Sequence, residues 1–324
     1  MRAMTLFTSI LVFLLVLVFY IHLMAQYRKS QDMEIYETDF AGVAALQEVC
    51  DVRQPVVVEL LGAAGAFFED MTLAKVLRAG AGVPVVVRDG ADYRASADAE
   101  GVPVPLEAAL RMLGEDSAAG LFTDGNHDFV EDADLAADVG ELDALLRPQM
   151  TVQTRYDVML GARGAHTPLR WSADLRRFLV VCAGAVSVKM TPFKSAAHLH
   201  EVRDYATLEF RSEVDVWDPQ ERFAGDAARV KFLEFDLAAG SALYVPPYWW
   251  YSVRYAGGED SLLLGYAYNT LLNRVANAGD LVRCALQRHN TDVRASRLAR
   301  ADDADSDSDS EPASPRGGGA DAPL

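Results

Sequence analysis

GSALYVPPYWWYSVRY, residues 240–255, carries the strongest fold signal in the chain. A glycine precedes a run of β-formers. A double proline, Pro246-Pro247, interrupts it, and a second β-forming run follows Trp249 and Trp250. Proline has no N–H to give a ladder and fixes its own φ, so the pair marks a rigid corner between two strands. The two indoles bring large apolar area with one N–H donor each, which suits a buried corner. Outward from this corner, similar runs recur at short spacing: TVQTRYDVMLG from 151, RRFLVVCAGAVSVKM from 176, YATLEFRSEVDVW from 205, ARVKFLEFDL from 228 and DSLLLGYAYNT from 260. Short β-runs separated by turn residues predict a β-sandwich or a closed barrel over 151–270.

The flanks read differently. Residues 30–150 alternate helical and strand patterns. FAGVAALQEV (40–49), LAKVLRAGAG (73–82), PLEAALRMLGE (105–115) and DLAADVGELDALLRP (134–148) are helical, while PVVVELLG (55–62) and VPVVVRDG (83–90) are strands. Residues 124–133 read as an acidic loop. LLNRVANAGDLVRCALQRH (271–289) is an amphipathic helix opening a C-terminal segment over 271–299, with Leu272, Val275, Ala276, Leu281, Val282, Ala285 and Leu286 on or near one face. Core packing is the default expectation for that face, and a homodimer contact is its alternative. Residues 300–324 are an acidic tail of disordered composition.

Residues 5–24, TLFTSILVFLLVLVFYIHLM, hold one ionisable side chain, His22. At a rise of about 1.5 Å per residue this run matches the hydrocarbon thickness of a bilayer. Tyr20 and Tyr27 suit an interface, and Arg28 and Lys29 suit a snorkelling end. The flank offers no small-x-small cleavage site, so residues 1–29 are expected to be an uncleaved single-pass anchor, with residues 30–40 a polar neck. Arg2 on one side and Arg28-Lys29 on the other nearly balance, which leaves orientation open with a slight lean toward a cytoplasmic domain.

The chain of 324 residues is 51% hydrophobic and carries a formal net charge of −17 with no basic stripe, so duplex nucleic acid is not an expected partner. Cys50, Cys182 and Cys284 are too few and too scattered for a disulfide framework or a zinc knuckle; buried thiols are the expectation. There is no G-x-S-x-G, no Walker loop and no G-x-G-x-x-G after a strand.

The 240–255 corner resembles the second signature of cupin-like domains of the JmjC-related hydroxylase group. That signature runs Gly-Asp-x-Leu-Tyr-x-Pro-x-x-Trp-Trp-His and ends on a metal-binding histidine. Gly240, Pro246, Trp249 and Trp250 fit; Ser241 replaces the acid, and Tyr251 stands at the histidine. The group's earlier Gly-x-x-Gly-x-x-Thr-Pro-Leu-His-x-Asp run is matched by GARGAHTPLRWS (161–172). There Gly161, Gly164, Thr167, Pro168 and Leu169 fit, while Arg170 and Ser172 stand at the two ligand positions. In CAGAVSVKMTP (182–192), Val186 stands where the group's cosubstrate lysine is expected. FRSEVDVWDPQ (210–220) is similar to a stretch in cupin-like proteins of large DNA viruses and algae. The resemblance implies a mainly β, α+β fold: a double-stranded β-helix (cupin, jelly-roll) barrel with flanking helices.

It also implies Fe(II)/2-oxoglutarate oxygenase chemistry, which the substitutions oppose. Such a site needs two neutral imidazoles and a carboxylate on one face. Arg170 is a permanent cation with no acceptor, and Ser172 is a poor neutral ligand. Tyr251 would ligate only a strong Lewis acid as phenolate. With Val186 in place of the lysine, no cofactor is expected, and the domain reads as a non-catalytic binding or scaffolding module for an unknown protein partner. Two alternatives stand beside it. Arg170, with Ser172, Tyr251, Trp249 and Thr167 lining a pocket, could clamp a small anionic ligand, or Arg170 could pair with a buried acid and fill the vacated space. A rearranged Fe(II) oxygenase would use HLHEVRD (198–204), with His198, His200 and Asp204, or Glu209 and Tyr251, as ligands; in the group's own register these histidines lie on an exposed loop.

Overall fold

The computed structural model describes residues 2–95, 101–205, 208–256 and 260–290. The acidic tail from 300 lies outside the described residues, as do 291–299 of the expected C-terminal segment. The fold is α+β: two large, almost wholly antiparallel sheets with helices along one of them. The larger sheet has nine strands in the order Tyr36–Asp39, Val56–Glu59, Ser241–Val245, Arg176–Ala183, Leu262–Thr270, Thr151–Gly161, Leu121–Thr123, Pro84–Asp89 and Val102–Pro105. The second has six: Glu201–Asp204, Glu209–Ser212, Arg170–Ser172, Trp250–Tyr255, Ala185–Thr191 and Leu233–Ala238. Tyr36–Asp39 and Val56–Glu59 pair in parallel.

Strands from before residue 150 therefore extend the sheet formed after it. The change of texture at 150 is not a structural boundary: Leu121–Thr123 pairs directly with Thr151–Gly161, and Val56–Glu59 with Ser241–Val245. The expected helices form at Val43–Asp51, Leu73–Gly80, Leu106–Glu115 and Ala136–Leu146. Leu61–Asp70 is a further helix, kinked at Ala64, in a stretch whose helix propensity Gly62 and Gly65 lower. The acidic loop contains a short helix, Phe129–Asp132.

Side-chain alternation along the strands divides the interior. Val158, Leu160, Phe178, Val180, Ala242, Tyr244, Leu264, Tyr266 and Tyr268 face the helices and form one core with Val76, Leu106, Leu142 and their neighbours. The alternate residues face the second sheet, where Met159, Leu179, Val181, Val186, Val188, Met190, Leu243, Trp249, Val253 and Tyr255 make a second core. On the outer face of the six-stranded sheet Trp171, Phe210, Tyr248 and Trp250 cluster, Trp171 stacking on Phe210 with centroids 4.3 Å apart.

Two glycines of the quoted runs are required by this geometry. Gly240 has φ +96°, and a Cβ there would meet Leu61 Cγ at 2.3 Å. A Cβ on Gly161 would lie 2.0 Å from the buried ring of Tyr255.

Residues Arg2–Gln26 form one helix. It is long and apolar enough to span a membrane, with mean hydropathy 2.6 and none of the span buried. Its end is fastened to the domain. Arg53, buried and at φ 64°, donates to the carbonyls of Gln26 (2.9 Å) and Arg28 (2.6 Å). Lys29 Nζ sits 3.2 Å from the centroid of Phe193, and Tyr27 Oη donates to the carbonyl of Ala276.

Candidate functional site

The second sheet turns Arg170, Ser172, Glu209, Arg211 and Tyr251 to the interior, because each alternates with an outward Trp171, Phe210 or Trp250. From the larger sheet Arg155 and Arg177 point to the same space, and Asp124 reaches it from the loop after Leu121–Thr123. The strand register sets Tyr251 directly opposite Arg170, Arg211 opposite Arg170 on the other side, and Glu209 opposite Ser172. The structure thus brings together Arg170, Ser172 and Tyr251. It adds partners that the sequence reading did not single out: Asp124, Asp174, Arg177, Arg88 and Arg155.

These side chains are cross-linked. Arg170 Nη1 donates to Asp124 and, at 3.1 Å, to Glu209. Arg177 Nη1 donates to Glu209 (2.8 Å) and to Tyr251 Oη (2.8 Å), while its Nη2 donates to Asp174 (2.9 Å). Asp174 also accepts from Arg155 (2.7 Å), Asn269 (2.8 Å) and Ser172 Oγ (3.2 Å). Arg88 pairs with Asp124. Arg170 is 2% exposed and Tyr251 is 1% exposed, so the charges are balanced inside the protein and not by solvent.

The electrostatics follow from that closure. Burial favours the neutral form of Glu209, but Arg170 and Arg177 outweigh it and hold its carboxyl down at about 2. Asp174 is likewise held well below the usual carboxylate range, Arg155 and Arg177 overcoming its burial. Burial opposes the charge on Arg170 too, yet Asp124 and Glu209 drive its pKa well above the ordinary value. Tyr251 is pushed up by burial, against Arg177 and Arg170, which keeps it a neutral phenol that accepts from Arg177.

The remaining expected positions behave as structure. Thr167 Oγ1 accepts from the amide of Val253, and its carbonyl accepts from Ser252. Trp249 is buried in the apolar half of the interior. Arg170, Ser172, Tyr251, Trp249 and Thr167, the residues expected to line a pocket, are all buried, 7% exposed or less. The cleft bordering Arg155 and Asp174 measures about 30 Å³. Val186 is a core residue, and Lys189 on the same strand points to the opposite face, donating to the carbonyl of Val216 at 3.1 Å. Cys50, Cys182 and Cys284 are buried.

The His-x-His alternative is corrected in its membership. His198 closes a 3-10 turn, Phe193–His198, and His200 has φ 46°, so the two do not alternate along a strand. Both converge on Asp226, at 3.3 and 2.9 Å, on the surface. Asp204 is elsewhere, 3.5 Å from Arg211, and Glu209 and Tyr251 belong to the interior network. Among the described residues, no group of three or more His, Cys, Asp or Glu side chains is arranged to hold a metal ion.

Compared with known proteins, the chain matches no protein-family model, and no curated protein is significantly similar to it.

Proposed function

We propose that the protein is a non-catalytic barrel domain of cupin-like, double-stranded β-helix architecture, held at a membrane by a single N-terminal helix and working as a binding or scaffolding module. The observation that carries this reading is the buried network of Arg170, Asp124, Glu209, Arg177, Tyr251 and Asp174. It fills the place where the resemblance implies Fe(II) and 2-oxoglutarate. The donor set does not fit that metal. Arg170 contributes a guanidinium that repels a dication, Ser172 gives a neutral hydroxyl already donated to Asp174, and Tyr251 is a neutral phenol engaged by Arg177. No step through iron is derived. The architecture itself is supported by the direct pairing of Arg170 with Tyr251, since the two signature runs must converge on one site in such a barrel.

The anionic-ligand reading draws less support. Arg170 Nη1 is already engaged by two carboxylates, and an incoming acid would have to displace one of them. A membrane anchor is supported by an exposed apolar helix whose length matches a bilayer.

The test is metal analysis of the full chain in detergent, purified anaerobically with Fe(II) and 2-oxoglutarate supplied. Iron well below one equivalent, with no thermal shift from either addition, is the expected result. One equivalent of iron overturns the reading and makes His198 and His200 the first residues to replace.

A further inference from the structure

The C-terminal helical segment buries only part of the face expected of it: Ala276 is covered and Leu272 and Leu281 are half-buried. It runs from Leu271 to Ala276, turns at Asn277 and resumes over 278–290. Asn273, Ala276 and Cys284 turn to the protein, and four large apolar side chains turn away: Leu271 (66% exposed), Val275 (44%), Val282 (58%) and Leu286 (58%). Within each half the spacing is i, i+4, so 271 with 275 and 282 with 286 share a face. Met150 (86% exposed) and Val152 (59%) stand at the neighbouring strand end, where Thr151 pairs with Thr270.

This apolar edge adjoins the end of the apolar helix. Leu271–Ala276 contacts that helix, and Tyr27 donates to the carbonyl of Ala276. The clamp by Arg53 and Lys29 fixes the junction, so the segment is held close to the place where the helix would enter a bilayer. The charge agrees with an anionic surface. Residues 271–290 hold Arg274, Arg283 and Arg288 against Asp280 alone, in a chain whose formal net charge is −17. A basic helix with an exposed apolar stripe is the pattern of a helix lying in the headgroup boundary.

We propose that the exposed face of residues 271–290, with Met150 and Val152, lies in the interfacial layer of the membrane that the N-terminal helix spans. The domain is then held flat on the lipid surface in one orientation. This rests on the reading of residues 5–26 as a membrane span.

The test places nitroxide labels on the full chain at Val282→Cys and Leu286→Cys, with Glu107→Cys, exposed on the helix Leu106–Glu115, as control. The native cysteines are buried and stay unlabelled in a parallel wild-type sample. The protein is reconstituted in vesicles of phosphatidylcholine and phosphatidylglycerol. Accessibility to oxygen is compared with that to a water-soluble nickel chelate. The oxygen-to-nickel ratio at 282 and 286 is expected to exceed that at 107 several-fold and to fall to the value at 107 when the vesicles are replaced by a non-ionic polymer that keeps the protein soluble. Equal ratios at all three sites, in protein that resists alkaline carbonate extraction, overturn the interfacial placement and leave the anchor standing. Spin–spin broadening at 282 that grows with protein density, without a raised oxygen ratio, overturns it in favour of a second copy of the chain. Release by carbonate overturns the anchor and the inference with it.

Discussion

Arg170 and Tyr251 face each other across one rung of the six-stranded sheet, and Glu209 links them: it accepts directly from Arg170 and, through Arg177, is tied to the Tyr251 hydroxyl. A cation and a phenol at these positions form the middle of a closed ionic lattice. Its energetics are those of a buried network, in which removing one member costs more than the whole is worth.

Arg170→Met therefore leaves the buried Asp124 and the half-buried Glu209 short of a counter-charge. Stability is expected to fall by about 3–5 kcal/mol, the usual penalty for a buried charge stripped of its partner. Adding Asp124→Leu to Arg170→Met is expected to recover part of that loss. Denaturant midpoints of wild type, both single variants and the double variant measure this. Additive losses would show that the pair is not coupled.

Acid sensitivity follows from the same lattice. Glu209 is held at about 2 in the folded protein, below its value of about 4.3 in an unfolded chain. A depressed folded pKa gives stability that is complete above the unfolded value and is lost as pH falls through the folded one. Stability is thus expected to be level near neutrality with respect to this group and to drop between about pH 5 and pH 2. Asp174, also depressed, adds to the drop at the acid end. Glu209→Gln should flatten the acid limb while lowering stability at pH 7, read by circular dichroism across pH in denaturant.

The α+β class and the strands of the two quoted runs were readable in the sequence, and what was not readable has physical causes. GARGAHTPLRWS and GSALYVPPYWWYSVRY are local patterns, and their glycines, proline corner and alternation survive intact in the strands they form. Arg177 was not readable because Arg176, buried, and Arg177, mostly enclosed, lie on opposite faces of one strand. Arg176 pairs with Asp51 on the helix side, and Arg177 pairs inside. Asp124 looked like part of a solvated acidic loop. Its burial depends on strands that arrive later in the chain, and no local period records that. The face of 271–289 read as core because periodicity reports an apolar stripe and not what covers it.

Arg53 offers a separate handle on the anchor. Its guanidinium holds the carbonyls of Gln26 and Arg28, so Arg28 and Lys29 are tryptic sites under a clamp. Arg53→Ala is expected to speed tryptic cleavage at 28–29 by about tenfold or more, given roughly 1.5–3 kcal/mol for a hydrogen bond to a charged group. Mass analysis of timed digests locates the cut. Unchanged cleavage there would mean that the junction is held without Arg53.

Gly161→Ala tests the packing of the first signature run. The added methyl would sit 2.0 Å from the Tyr255 ring, which is 1% exposed and has no room to swing. A loss of about 1–3 kcal/mol is expected, the range for overpacked cores. Tyr255→Leu in the same chain should relieve part of it. A Gly161→Ala variant as stable as wild type would mean that the strand end shifts freely.

The sharpest prediction installs the metal ligands that the resemblance implies. Arg170→His, Ser172→Asp and Tyr251→His together would set two imidazoles and a carboxylate on one inward face, with Arg170 and Tyr251 already opposite each other. The vacated charge also favours a metal: Asp124 and Glu209, which now neutralise a guanidinium, would face a dication in its place. The triple variant is expected to bind one equivalent of Co(II) with visible d–d absorbance. At a hundredfold excess over the dissociation constant the metal should stabilise it by about 2.7 kcal/mol, while wild type shows neither response. A triple variant that folds, by circular dichroism, and takes up no Co(II) would refute the convergence of these three positions on one metal-competent site. Uptake by wild type as well would refute the claim that the arginine lattice excludes metal.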